Sequence, residues 1–196
     1  MLPFSSVDDI NFLLNDPQVD TTDLRQYNIP KPSNLSDDHY ECFKKKGLHF
    51  IHLNVRSLFN KVSELKIIAK HSNAAVICIT ESWLNDSHTD ASVSIDGYSL
   101  LRRDRLSHGG GVCAYIREDI AFNPRNDLAS EDQEDLWFEI LLPKSKPLYV
   151  GAIYRTDKNK NCFNSLDLSL SKLRDDCDFL VLGDFNICIL KNKTNY

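Results

Sequence analysis

The sequence predicts a mixed α/β domain, and three observations carry that expectation. Apolar runs of strand length recur and end on polar residues. Stretches with helical spacing stand between pairs of such runs, the mark of strand-helix-strand units. The chain of 196 residues, 42% hydrophobic and 26% charged, is also long enough for one domain with a real core.

The elements follow in order. Residues 1–47 mix Asp, Asn, Ser and Pro without a sustained period and read as a flexible polar leader ending in Lys44-Lys45-Lys46-Gly47. His49 to Val55 alternates like a strand and delivers Asn54 near its end. Val62, Leu65, Ile68 and Ala69 then repeat at helical spacing. Ala74 to Thr80 is a continuous apolar run of the kind buried on both faces, and Glu81 follows at once. Tyr98–Leu101 and Val112–Ile116 read as a hairpin joined by a basic, glycine-rich connection, Arg102 to Gly111. Leu136–Leu142 and Leu148–Tyr154 are two more strands. Phe163, Leu166, Leu170 and Leu173 fall on one helix face. The last strand is Phe179-Leu180-Val181-Leu182, running into Gly183-Asp184-Phe185-Asn186-Ile187. Residues two apart on extended chain share a side, so Asp184 and Asn186 are expected to reach one volume, with Phe185 turned into packing.

Composition excludes several classes. No apolar run approaches the ~20 residues of a membrane span, so no membrane partner is expected. The N-terminus has no basic region followed by an apolar one, so an intracellular, non-secreted protein is expected. The six cysteines form no C-x-x-C pair, which gives zinc or redox chemistry little support and fits a reducing compartment. Net charge is −5, of which residues 1–46 carry −3. The remainder is nearly neutral, which suits an enzyme that meets DNA briefly better than a protein that coats it.

Asn54, Glu81, Tyr154, Asp184 and Asn186 thus all stand at strand ends. Each alone is an ordinary turn, cap or edge residue. Together they supply hydrogen-bonding and hard oxygen groups of the type that metal-assisted phosphodiester hydrolysis requires.

His52-Leu53-Asn54-Val55-Arg56-Ser57-Leu58, Ile79-Thr80-Glu81-Ser82-Trp83-Leu84, Gly109-Gly110-Gly111-Val112, Gly151-Ala152-Ile153-Tyr154-Arg155 and Leu182-Gly183-Asp184-Phe185-Asn186 occur in this order. As a set they resemble the endonuclease/exonuclease/phosphatase superfamily, and within it the apurinic-type endonuclease domain of LINE-type (non-LTR) retrotransposons. The resemblance covers about residues 48–190, with 191–196 a tail. It implies a four-layer α/β sandwich of two mixed sheets flanked by helices, a divalent metal (Mg²⁺ or Mn²⁺), and nicking of target DNA, in the nucleus if genomic DNA is the substrate. By the same resemblance Glu81 holds the metal, and Asn54 and Tyr154 support its shell or touch phosphate oxygens. Asp184 orients or deprotonates the attacking water, and Asn186 fixes that carboxylate. Arg56, Arg102, Arg103 and Arg105 are further candidates for the DNA backbone, although such a loop is ordinarily solvated.

The sequence departs from the family's pattern twice. Thr156-Asp157 follow Tyr154-Arg155 where the family carries prolines. The family also continues to strands bearing a Ser-Asp-His motif, whereas here all six histidines precede Asp184 and the chain runs out at Tyr196. The expectation is a domain truncated at its C-terminus, its sandwich incomplete and its activity impaired. Two alternatives stay open: a non-catalytic relic or DNA- or partner-binding module, and a phosphatase of the same superfamily. A lipase-like hydrolase is excluded, since no G-x-S-x-G motif accompanies His108-Gly109-Gly110-Gly111.

Overall fold

Val76–Thr80 forms a strand, β2, in which every residue is buried. Val76 and Cys78 pack into one apolar cluster while Ile77 and Ile79 pack into another, so the strand has core on both faces. That single alternation sets the layering. The computed structural model describes residues 46–156 and 159–187. The leader up to Lys45, Asp157, and the tail at 191–196 lie outside the described residues.

Strand β1 (Phe50–Asn54) pairs parallel to β2, and β4 (Val112–Arg117) runs antiparallel on the other side of β2, with β3 (Tyr98–Arg103) beyond it. A second sheet is ordered β5 (Phe122–Pro124), β6 (Glu134–Ile140), β7 (Leu148–Tyr154) and β8 (Asp178–Asp184), with β7 and β8 parallel. Helix α1 (Val62–Ser72) connects β1 to β2, and α2 (Cys162–Ser171) connects β7 to β8. The two strand-helix-strand units expected from the sequence are therefore present, one at each flank.

Three apolar clusters separate the layers. The first joins α1 to the first sheet through Leu65, Ala69, Ile77, Ile79 and Tyr115. The second lies between the sheets, built from Val76, Cys78, Val112, Ala114, Ile116, Leu136, Phe138, Ile140, Val150 and Ala152. The third joins the second sheet to α2 through Trp137, Tyr149, Ile153 and Cys162, with Leu166 and Leu170 packed against it. Helix, sheet, sheet, helix is the four-layer α/β sandwich. No helix among the described residues is long and apolar enough to cross a membrane. Cys78, Cys113, Cys162 and Cys177 are free thiols.

Local chemistry accounts for the boundaries. α1 buries Val62, Leu65, Ala69 and Ser72 and ends at Asn73, whose left-handed conformation (φ 48°) lets its N–H reach the Ala69 carbonyl. On α2 the buried face is Cys162, Ser165 and Ser169, and Phe163 is half exposed instead of core. The small residues let the helix sit close, and the Ser169 hydroxyl donates to the Leu128 carbonyl at 2.7 Å. Phe163 stacks on Phe185, ring centroids 6.3 Å apart. Strand β8 is only partly buried, with Phe179 53% exposed, because among the described residues it pairs with β7 alone. Three-residue β5 carries no pattern of its own in the sequence and ends on Pro124, which an edge strand tolerates.

Candidate active site

The alternation that fills the inter-sheet layer also builds the site. Phe50 packs against that layer, and two and four residues on come His52 and Asn54. Cys78 gives way to Thr80 on β2, Leu136 to Glu134 on β6, Ala152 to Tyr154 on β7, and Leu182 to Asp184 on β8. In register Asn54 lies opposite Thr80, and Glu134, Tyr154 and Asp184 stand side by side. Five strands thus finish one core with apolar residues and then place polar ones at the same rim, where the parallel strands have their C-terminal ends.

Glu81 arrives by a different route. It follows β2 in the left-handed conformation, φ 53°, a state uncommon for a residue with a side chain and costing on the order of 1 kcal/mol. Neighbouring backbone holds it there. The Ser57 N–H donates to the Glu81 carbonyl at 3.0 Å, and the Ser82 N–H donates to Gly111 at 3.2 Å. The result is a carboxylate aimed at Asn54.

The Asn54 amide nitrogen donates to Glu81 Oε1 at 2.8 Å and to Asp184 Oδ2 at 2.7 Å. Two carboxylates from different sheets therefore lie within twice a hydrogen-bond length of each other. The Asn54 oxygen, Oδ1, is buried and has no protein partner. An acceptor left in that state costs about 1–3 kcal/mol, which makes it a position awaiting a donor or a cation. Arg56 Nε stands 3.9 Å from Glu81 Oε2, but its side chain is 63% exposed, so it neutralises little.

Tyr154 adds a neutral hydroxyl. Burial first, then the Glu81 carboxylate through its charge and as a hydrogen-bond acceptor, push its phenol up to about 12. At neutral pH it is a donor. Beside it Glu134 accepts the Gly111 N–H and pairs with Arg105 Nη1 at 3.3 Å. A Cβ on Gly110 would overlap the Glu134 carboxylate, so the glycine run leaves room for that side chain.

Asn186 sits differently from its expected place. It lies past the end of β8 with φ 49°, so the two-residue alternation no longer applies to it. Its backbone N–H donates to Asp184 Oδ1 at 2.9 Å, while its side-chain amide donates to the Arg155 carbonyl at 2.6 Å. Arg155 answers with a 2.8 Å bond from its N–H to the Asp184 carbonyl and a 3.1 Å bond from Nη1 to the Phe185 carbonyl. The structure brings Asn54, Glu81, Tyr154 and Asp184 together and uses Asn186 to hold the turn behind them.

Sequence reasoning did not single out Glu134, His52, Thr80 or Arg155 as site residues. Glu134 had a signal, as the polar residue two before Leu136 on an alternating strand. His52 Nε2 lies 3.1 Å from Thr80 Oγ1, and burial lowers its pKa against the opposing charge of Asp184. Arg102 and Arg103, expected in the hairpin connection, are the last two residues of β3 and are engaged within the fold. Arg102 donates to the carbonyls of His88 (2.7 Å) and Asn85 (3.0 Å) and pairs with Asp90 and Asp104. Arg103 pairs with the buried Asp135 at 2.6 Å and donates to the Ser130 carbonyl.

The donors fit a hard divalent cation. Among the described residues no group of three or more His, Cys, Asp or Glu is arranged to hold a metal. Two carboxylates and an orphaned amide oxygen match the Mg²⁺ habit of one or two carboxylates, with water and substrate phosphate completing the shell.

The sequence matches the Endonuclease/Exonuclease/phosphatase family over residues 51–190. No curated protein matches it at the sequence level. Among solved structures it is similar to the endonuclease domain of TRAS1, a telomere-specific non-LTR retrotransposon (TM-score 0.57, 15% identity, covering 72% of this chain and 60% of that one). It is also similar to D. rerio TDP2 complexed with a single-strand DNA product (TM-score 0.54, 13% identity, 72% and 61%). A third is the human Nocturnin catalytic domain with bound sulfate (TM-score 0.53, 11% identity, 72% and 64%). The chain thus spans between 60% and 64% of the length of these three solved chains. At such identities the likeness is one of fold.

Proposed function

The chain belongs to the endonuclease/exonuclease/phosphatase family of hydrolases, and from that premise we propose that its activity is divalent-metal-dependent cleavage of phosphodiester bonds in DNA, as an endonuclease of the retrotransposon type. The observation that carries the reading is the Asn54 bridge, one amide joining the carboxylates of Glu81 and Asp184 with its own oxygen buried and unpartnered. Likeness to the TRAS1 endonuclease domain supports DNA as the substrate.

Members of the family generally depend on a divalent metal. In this chain Glu81 and Asn54 Oδ1 would hold Mg²⁺ or Mn²⁺, which when bound polarises the phosphate and offsets charge on the leaving oxygen. Asp184, fixed by the Asn54 amide and the Asn186 N–H, accepts the proton of the attacking water. Tyr154, neutral at working pH, donates to a phosphate oxygen. Arg56, largely exposed beside Glu81, meets the next phosphate along the strand. Turnover is expected to be slow, because His52, the imidazole on β1 at this rim, faces Thr80 at 3.1 Å, and an acid for the leaving group is worth roughly 10²–10⁴ in rate.

Comparing hydrolysis of supercoiled plasmid with that of a phosphoinositide, both in Mg²⁺, tests the substrate class. Nicking of the plasmid alone is the expected result. Release of phosphate from the lipid headgroup without nicking would transfer the reading to the phosphatase branch.

A further inference from the structure

Arg155 follows β7 directly and is half-buried, and its guanidinium is used differently from others in the chain. Arg102, Arg103 and Arg125 each pair with a carboxylate. The described partners of the Arg155 guanidinium are three backbone carbonyls. Its Nε donates to Asn159 at 3.2 Å, and its Nη1 donates to Phe185 at 3.1 Å and to Asn186 at 3.3 Å. Those carbonyls belong to two turns, one that precedes α2 and one that leaves β8. The main chain of Arg155 joins the same network. Its N–H donates to the Asp184 carbonyl at 2.8 Å, and its carbonyl accepts the Asn186 side-chain amide at 2.6 Å. Asn159 is held in turn, donating to the Asp132 carbonyl at 3.1 Å and accepting the Asn161 N–H at 2.9 Å.

The turn gripped in this way is the one that orients Asp184. Oδ2 of that carboxylate takes the Asn54 amide, and Oδ1 takes the N–H of the left-handed Asn186 at 2.9 Å. Asn186 is exposed, so burial does little to keep it in that conformation, and the bonds from Arg155 supply the restraint. We propose that Arg155 is a positioning residue for Asp184: its guanidinium clamps the Phe185–Asn186 turn so that both carboxylate oxygens stay fixed toward the attacking water. The assignment rests on the phosphodiesterase reading above and deepens it. Two features select a clamp over a contact to the DNA backbone. Nε and Nη1 are committed to carbonyls on separate turns, a use of the planar fork that a single ammonium cannot copy. Main-chain and side-chain bonds also run in both directions between Arg155 and Asn186, which ties the two residues as one unit. Misplacing a reacting group by about 1 Å costs on the order of 10²-fold in rate, so the clamp acts on turnover and not on binding.

Arg155→Lys keeps the charge and loses the fork, and Arg155→Gln loses both. Amide exchange of Asn186 in EDTA reads the turn without turnover, with Ala152 on β7 as the internal standard for an intact fold. The expected result in both variants is exchange of Asn186 faster by about tenfold, with Ala152 unchanged. Plasmid kcat in Mg²⁺ should fall by about 10- to 100-fold, with KM and its salt dependence unaltered. Wild type alone gives a second reading. The Arg155 Nε–H, bonded to Asn159, should exchange more slowly than that of Arg56, whose side chain is 63% exposed. Equal exchange at those two guanidinium groups, or Asn186 protection retained in both variants, would overturn the proposal. So would full rescue of kcat by Arg155→Lys with a raised KM and a salt slope smaller by about one in Arg155→Gln, the signature of a phosphate contact. Faster Asn186 exchange in the variants of a chain that nicks no plasmid would remove the hydrolase reading and keep the clamp. Nicking with wild-type kcat in both variants would do the reverse.

Discussion

Asn54 and Asp184 are separated by 130 positions in the chain, yet the amide nitrogen of one lies 2.7 Å from a carboxylate oxygen of the other. The contact joins the ends of β1 and β8, one from each sheet, and a second bond from the same nitrogen brings in Glu81. Closing so long a loop carries an entropic cost that the shared inter-sheet core must offset. The bridge is therefore a product of the fold and not of local chain.

Removing the bridge leaves two carboxylates facing each other with no donor between them. Asn54→Ala is expected to lower stability by about 1–3 kcal/mol in EDTA. Millimolar Mg²⁺ should widen that loss, because wild type is stabilised by the cation and the variant lacks the Asn54 oxygen that helps hold it. Urea midpoints in the two media measure it, and an equal loss in both would remove Asn54 from the cation's shell.

A cation that binds only the folded chain raises its melting temperature, by about 2.7 kcal/mol of stabilisation at one hundred times the dissociation constant. Wild-type protein is expected to show that rise with Mg²⁺ and Mn²⁺. Glu81→Gln should abolish most of it, while Glu134→Gln, whose carboxylate is engaged by Gly111 and Arg105, should retain it. Calorimetric melts of the three proteins decide.

Histidine 52 has its pKa lowered, first by burial and against the Asp184 charge. The folded chain thus binds that proton only below the ordinary histidine value near 6.5, whereas the unfolded chain binds it at that value. Below about pH 6.5 the unfolded state carries more protons, so stability contributed by the neutral ring is present above that pH and is lost as pH falls through the folded value. His52→Gln should flatten the stability profile between pH 8 and pH 5 relative to wild type. Parallel profiles would show that the ring does not titrate differently in the two states.

A Cβ on Gly183 would collide with the Ile153 carbonyl, since β7 and β8 approach there without room for a side chain. Backbone cannot yield as a flexible side chain does. Gly183→Ala is expected to cost at least about 3 kcal/mol and to displace Asp184, its neighbour. Chemical denaturation reads the first effect and loss of the Mg²⁺ melting shift the second. A variant with wild-type stability would mean the strands separate easily.

Much of this was legible because period-2 alternation and strand-end position are local signals. Asn54, Glu81, Tyr154 and Asp184 each stand where an apolar run stops, and the parallel units send those stops to one rim. Asn186 departs because it leaves extended geometry at φ 49°, a turn conformation that alternation does not describe. Arg102 and Arg103 looked like a solvated basic loop, since nothing in their neighbourhood names the remote carbonyls of Asn85, His88 and Ser130 that engage them. The orphaned oxygen of Asn54 and the bonds from Arg155 to the carbonyls of Phe185 and Asn186 are properties of packing between distant segments, and no local pattern encodes them.

Plasmid nicking by wild type, Glu81→Gln, Asp184→Asn and the double variant, in Mg²⁺ and in EDTA, tests the central claim most directly. Residues that act as one unit lose activity non-additively. The account predicts slow, Mg²⁺-dependent nicking that each single substitution lowers by at least about 10²-fold, with the double variant no worse than either. Nicking that persists in Glu81→Gln, or that proceeds equally in EDTA, would contradict it.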